Sequence, residues 1–350
     1  MAQSPFPTEV TNYIKEFCNH YSSDTLWKYI DNLKSLKILV IGEVIIDEYV
    51  YCDALGKSGK EPMLAMRFLS KERFAGGILA VANHVSNFCQ KVTLASYLGS
   101  ENPEEVFARE HLQKNVTPFF VTKSQSPTII KQRIVDCYTL SKMLGIYEIN
   151  DELLLEVEEA QFCQLLETLI PESDAVIVTD YGHGLITPKI VDLLAKQSPF
   201  LAVNTQINAS NIGFHTISRY PHADFVCIHE GELRMDYRSR VSNVEDLVLD
   251  LSKRLNCNSI LITRGSNGTL TYNQEEGFAT CPAFATKIVD RLGAGDAVFA
   301  ITSLLAVQKA PPEVINFVGN TVGSQAVMIV GNQKSINKSQ LFNAIGSLLG

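Results

Sequence analysis

The chain predicts an α/β fold with a mostly parallel central sheet and a small β lid. From Lys37 onward, short apolar runs alternate with helical stretches, and several of those runs finish in a polar residue. Two further segments, 48–73 and 117–149, run as β-type sequence with no helix between their parts.

Residues 1–36 place Tyr13, Phe17 and Tyr21, then Leu26, Tyr29 and Leu33, at helical spacing. They predict two short amphipathic helices docked on the body of the protein, with a partner-binding extension as the other option. The runs Ile38–Ile46, Ala175–Thr179, Phe200–Val203, Phe225–Ile228 and Ser259–Ile262 read as strands. They end in Asp47, Asp180, Asn204, His229 and Thr263. The ligand crevice of a parallel sheet lies beyond the carboxyl ends of its strands, so these five groups are aimed at one cleft. In the two irregular segments, Met63–Leu69, Thr128–Tyr138 and Met143–Ile149 read as extra antiparallel strands. A flap of that kind covers a small substrate and excludes water. Its apolar face and strand edges predict a homodimer through the lid. With no internal repeat or long linker, the chain divides into a helical extension over 1–36 and one domain over 37–350.

The 350 residues are 46% hydrophobic and 19% charged, enough for one large core or two modest ones. A net charge of −8 argues against a partner that is nucleic acid or an anionic membrane. The polar, mixed-charge N-terminus is unlike a signal peptide, and no apolar run approaches a membrane span. The eight cysteines are scattered without a C-x-x-C pair, which suits a reducing compartment, and a cytoplasmic location is expected.

The most informative stretch is Val289-Asp290-Arg291-Leu292-Gly293-Ala294-Gly295-Asp296-Ala297-Val298-Phe299-Ala300. It reads as a glycine turn opening an apolar helix, with one carboxylate in the first helical turn. Uncovered N–H groups and the helix dipole favour an anion there. An acid beside an anion site makes chemical sense if it takes a proton from an attacking hydroxyl, which suggests phosphoryl transfer to an alcohol. Two better-known motifs fail. A dinucleotide fingerprint needs a glycine where Val298 stands, and a P-loop ending at Gly56-Lys57-Ser58 would need its first glycine at Tyr51.

Asp290–Asp296, Gly76-Gly77 before a helix, and Asp47 after the first strand together resemble the PfkB (ribokinase-like) carbohydrate kinases, over residues 37–335. Ile41–Asp47, Lys131 to Arg133 and Thr179–Gly184 look most like the branch of heptose 7-phosphate kinases found in ADP-heptose synthases. The resemblance implies a three-layer ribokinase-like sandwich and an ATP-dependent sugar or sugar-phosphate kinase that uses Mg²⁺. It implies Asp296 as general base and Gly293, Ala294 and Gly295 as the anion hole. It places Asp47, Gly76, Gly77 and Asp180 against the sugar, and Thr263, Gly265, Gly268 and Asn320 around the nucleotide. Glu232 matches the acid that orients Mg²⁺ through water, and Asp290 a position that helps some relatives hold a monovalent cation such as K⁺.

The chain departs from the family pattern in three places. His229 replaces the asparagine of N-x-x-E, Asn204-Thr205-Gln206 replaces D-P-K, and Ala80 replaces an asparagine, with Asn83 one turn further on the same helical face. Lys131 and Arg133, two apart on one strand face, are placed to meet a substrate phosphate; Lys57 and Lys60 in the lid read as solvated. The departures and the N-terminal extension also admit a catalytically weak relative that binds a phosphosugar or nucleotide as a regulatory subunit. A nucleoside kinase of the same fold is a third option.

Overall fold

The structure is a computed structural model and describes residues 6–350. It begins with two helices, α1 (Thr8–His20) and α2 (Ser23–Asn32). The first strand, β1 (Lys37–Gly42), leads into a hairpin of β2 (Val44–Lys57) and β3 (Leu64–Gly77), followed by α3 (Ile78–Ser86). Then come β4 (Lys91–Gly99), α4 (Glu105–Glu110), β5 (Val116–Lys123), β6 (Ile129–Asp136) and β7 (Lys142–Glu148). An αβ series follows: α5 (Glu156–Leu169), β8 (Ala175–Asp180), α6 (Pro188–Gln197), β9 (Leu201–Thr205), β10 (Phe225–His229), α7 (Glu230–Asp236), α8 (Val244–Arg254) and β11 (Ser259–Thr263). The chain closes with β12 (Thr269–Asn273), β13 (Gly277–Cys281), α9 (Ala294–Val307), α10 (Pro312–Ala326) and α11 (Lys338–Leu349).

Nine strands form the main sheet in the order β13-β12-β11-β10-β9-β8-β1-β4-β5. It is parallel except for β12 and β13 at one edge. Successive residues of each central strand bury opposite faces, as a two-residue repeat requires. Val40, Ile177 and Ala202 pack with α3, α9 and α10 on one side. Ile41, Val178 and Val203 pack with α5, α6 and α8 on the other. The result is three layers, helices on both faces of one sheet. The N-terminal helices join the first of these cores: Phe17 stacks on Phe317 with ring centroids 4.2 Å apart, and Leu26 and Ile30 are fully buried. All eight cysteines are free, and among the described residues no helix is long and apolar enough to cross a membrane.

The second sheet has the order β3-β2-β6-β7 and stands apart as the lid. Two expectations about it need correction. Ile38–Ile46 is not one strand. The chain leaves the main sheet at Glu43, so Asp47 lies inside lid strand β2 and not at the end of a central strand. The fully buried Glu43 carboxylate accepts backbone N–H groups of Tyr181, His183 and Leu185, which fixes the crossing point between the sheets. The segment 117–149 is also divided. Its first part, β5, pairs parallel to β4 at the main-sheet edge, and only β6 and β7 belong to the lid.

Candidate active site

The site forms where α9 starts beneath the lid. Gly293 has φ +76°, a left-handed conformation that turns the chain sharply into α9, and a Cβ there would sit 1.9 Å from Asn332 Oδ1. No side chain caps the helix. Of its first-turn N–H groups, Ala294 makes a long 3.4 Å bond to Arg291 O, those of Gly295 and Asp296 have no acceptor within a regular helix, and Gly295 is exposed with no neighbouring atoms where a side chain would be. Such a helix start, open on the side of Gly295, has the chemistry to hold an anion.

Asp296 is buried in the first turn of α9. Its Oδ1 accepts Tyr181 Oη–H at 3.1 Å and Gln206 Nε2–H at 2.6 Å. Burial pushes its carboxyl up to about 7, and the two hydrogen bonds pull only partly against that. A carboxyl poised there gains and loses its proton near neutrality, as a general base requires.

Asp47 faces this turn from the lid. Its Oδ1 accepts Arg133 Nη1 at 2.5 Å, and its Oδ2 accepts Asn332 Nδ2 at 3.1 Å. Gly76 is where it is because a Cβ would lie 2.1 Å from Asp47 Oδ2. Gly77, φ +53°, caps α3 directly after it. Lys131 is the register partner of Asp47 across β2 and β6, so the two side chains leave the lid on the same face. Lys131 is 9% exposed, and its ammonium lies 5.8 Å over the Tyr147 ring with no ion pair or hydrogen bond among the described residues. Burial holds its pKa below the usual lysine value, although Asp47 pulls the other way. Arg133 was expected to reach a substrate phosphate; here its guanidinium is paired with Asp47.

Two expected sugar contacts have other roles. Asp180 is fully buried: Oδ2 accepts Arg219 Nη1 and Tyr220 Oη, each at 2.9 Å, while Oδ1 lies 3.0 Å from His215 Nε2. It pins the 215–220 segment to β8, so sequence position at a strand end did not translate into an open carboxylate. Asn83 holds the loop before β5, donating to His111 O at 2.7 Å and accepting Gln113 N at 3.0 Å. The exposed Lys57 and Lys60 lie at the lid tip.

The nucleotide candidates do come together. Thr263 pairs with Thr269 in the β11–β12 register, and Gly265 and Gly268 shape the turn between those strands. Asn320 reaches the same point from α10, donating to Thr269 Oγ1 at 2.7 Å. Glu232 is partly exposed; its oxygens accept the backbone N–H groups of His229 at 2.8 Å and Ile207 at 3.1 Å. Burial raises its pKa despite those bonds. His229 takes the capping role at α7, its Nδ1 accepting Gly231 N at 3.0 Å, so the exchange from asparagine leaves the helix capped. Asn204 donates to Cys227 O at 2.7 Å, while its buried Oδ1 has no partner.

Asp290, just before the Gly293 turn, is saturated. Oδ1 accepts Lys142 Nζ at 2.6 Å and Leu292 N at 3.0 Å; Oδ2 accepts Tyr49 Oη at 2.7 Å and Gly331 N at 3.0 Å. Burial alone would raise its pKa, but these donors hold it below the ordinary carboxylate value.

Sequence reasoning missed Tyr181, Gln206, Asn332 and Lys142. Tyr181 sits inside the Thr179–Gly184 stretch, and Gln206 was visible only as a lost lysine. Gly331-Asn332 carried a turn signal. Nothing local marked Lys142.

Residues 35–339 match the profile described as pfkB family carbohydrate kinase. A bifunctional protein HldE from Koribacter versatilis is 26% identical over 330 residues, which is 92% of this chain and 66% of that protein. The chain spans about 55–66% of the length of the curated relatives it matches. Among solved structures, phosphofructokinase-2 from Escherichia coli in complex with potassium superposes with TM-score 0.69 at 15% identity, covering 89% of this chain and 99% of that one. Ribokinase from Arabidopsis thaliana complexed with ribose and ATP gives TM-score 0.65 at 14% identity, with the same coverage. The fold is thus ribokinase-like, and with its family profile covering most of its length, the chain belongs to the pfkB family of carbohydrate kinases.

Proposed function

We propose that this kinase transfers the γ-phosphoryl group of ATP to a hydroxyl of a sugar that already carries an anionic group, as a heptose phosphate does. The observation that carries the reading is the buried Asp296 carboxyl in the first turn of an uncapped helix, its pKa raised to about 7. The substrate hydroxyl gives its proton to Asp296 as its oxygen bonds to the γ-phosphorus. The bond from that phosphorus to the bridging oxygen breaks, and ADP leaves with the electron pair. The first-turn N–H groups of Gly295 and Asp296 receive the charge on the transferring group.

Asp47, held by Arg133 and Asn332, orients sugar hydroxyls. Lys131 supports the anionic substituent: the ammonium of a largely buried lysine with no protein counter-ion in contact is best satisfied by an anion the substrate brings. Glu232 keeps lone pairs free on both oxygens beyond its two N–H bonds, and fits a water-mediated contact to Mg²⁺. When bound, that ion neutralises charge on the polyphosphate.

The test is coupled ATP turnover over a panel of sugars and their phosphates, with wild type and Lys131→Met. The reading predicts turnover confined to phosphorylated sugars and a KM for them raised at least about tenfold by the substitution, kcat changing less. Nucleotide binding with no turnover on any sugar would favour the regulatory-subunit reading instead.

A further inference from the structure

We infer that the ammonium of Lys142, carried by the lid, supplies the positive charge at Asp290 that the family resemblance assigns to a free monovalent cation. Four donors converge on this one carboxylate, two on each oxygen: an ammonium, a phenol and two backbone N–H groups. A carboxylate offers about four acceptor positions, so none is left for a metal ion. A free cation touching either oxygen would also sit beside the Lys142 charge and be repelled by it. The residues present do not fit K⁺ at Asp290.

The arrangement also ties the lid to the chemistry. Lys142 is on β7 and Tyr49 on β2, and the ammonium lies 5.1 Å over the Tyr49 ring. Both meet a carboxylate that accepts the N–H of Leu292, the residue before Gly293. The same carboxylate accepts the N–H of Gly331, the residue before Asn332. Lid seating, turn geometry and the Asn332 bridge to Asp47 therefore share one charged centre. Lys142 is a positioning residue: it acts on the anion hole through Asp290. For its rate readout the inference rests on the kinase reading; its stability readout does not.

The test compares the full chain in potassium, sodium and choline chlorides at equal ionic strength. Wild type is expected to unfold within about 1 °C of the same temperature in all three, and Lys142→Met to unfold at least about 3 °C higher in potassium than in choline. Turnover should follow, with wild type within about twofold across salts and Lys142→Met at least about tenfold faster in potassium than in choline. A wild-type protein that potassium stabilises or activates beyond those limits overturns the inference without any variant. A folded Lys142→Met no more salt-selective than wild type overturns it too. Absence of turnover in every salt, with the stability pattern intact, counts against the kinase reading and leaves the inference standing.

Discussion

Gln206 Nε2 donates to Asp296 Oδ1 at 2.6 Å, a neutral donor on a buried carboxyl that sits at about 7. Glutamine makes this hydrogen bond without adding a charge that would drive the base toward permanent ionisation. Asp296 accepts a proton only when ionised, so kcat/KM should fall as pH drops below about 7. Gln206→Lys should move that acidic limb down by about one pH unit or more, and Gln206→Leu should move it up. A pH–rate profile of the three proteins decides; a limb that stays fixed rules Gln206 out as a modulator of the base.

The same raised pKa has a consequence for stability. In the unfolded chain Asp296 has its ordinary pKa of 3.8, while in the fold it sits at about 7. The folded state therefore binds the extra proton between those values, and its stabilisation is lost as pH rises toward 7. Asp296→Asn removes the cost of keeping a buried charge above that pH. At pH 8 the variant should be more stable than wild type, by up to on the order of 4 kcal/mol, with the gain shrinking toward pH 5. Urea unfolding at both pH values measures it.

Gly293 and Asn332 form a second pair. Gly293→Ala puts a methyl group 1.9 Å from Asn332 Oδ1 at φ +76°. Destabilisation by about 1–2 kcal/mol is expected from the backbone alone, with the displaced asparagine adding to it. Adding Asn332→Gly should restore part of the stability but not the sugar KM, because the donor to Asp47 stays absent. A thermal melt and sugar kinetics on the single and double variants test the coupling.

The lid predicts assembly. Following the strand register, Phe68, Leu144 and Ile146 share the face turned away from Asp47, and each is at least half exposed. A homodimer through this face would cover them. Leu144→Glu should halve the mass seen by light scattering while leaving the unfolding temperature of the kinase body little changed. A monomeric wild type would remove the proposal.

Much of the fold was legible in the sequence. Apolar runs such as Ala175–Thr179 and Ser259–Ile262 show a strand because burial on both faces demands continuous hydrophobicity. Gly293–Asp296 was legible because only a few residue types build an uncapped left-handed entry to a helix. What escaped depended on contacts distant in sequence. Glu43 breaks an apolar run that looked unbroken, and the reason lies at 181–185. Asp180 ended a strand as a ligand would, yet Arg219 and Tyr220 claim it. Lys142 reaches a carboxylate 148 positions away, and no local pattern encodes that.

In the proposed reaction, Asp296 accepts the substrate proton. The most direct test is the phosphoryl-transfer rate of Asp296→Asn against wild type, on the best sugar phosphate found, at pH 8. The substitution should cost about 10²–10⁴ in kcat while the variant remains folded and still binds nucleotide. Near-normal turnover by a folded Asp296→Asn protein would mean that another group takes the proton.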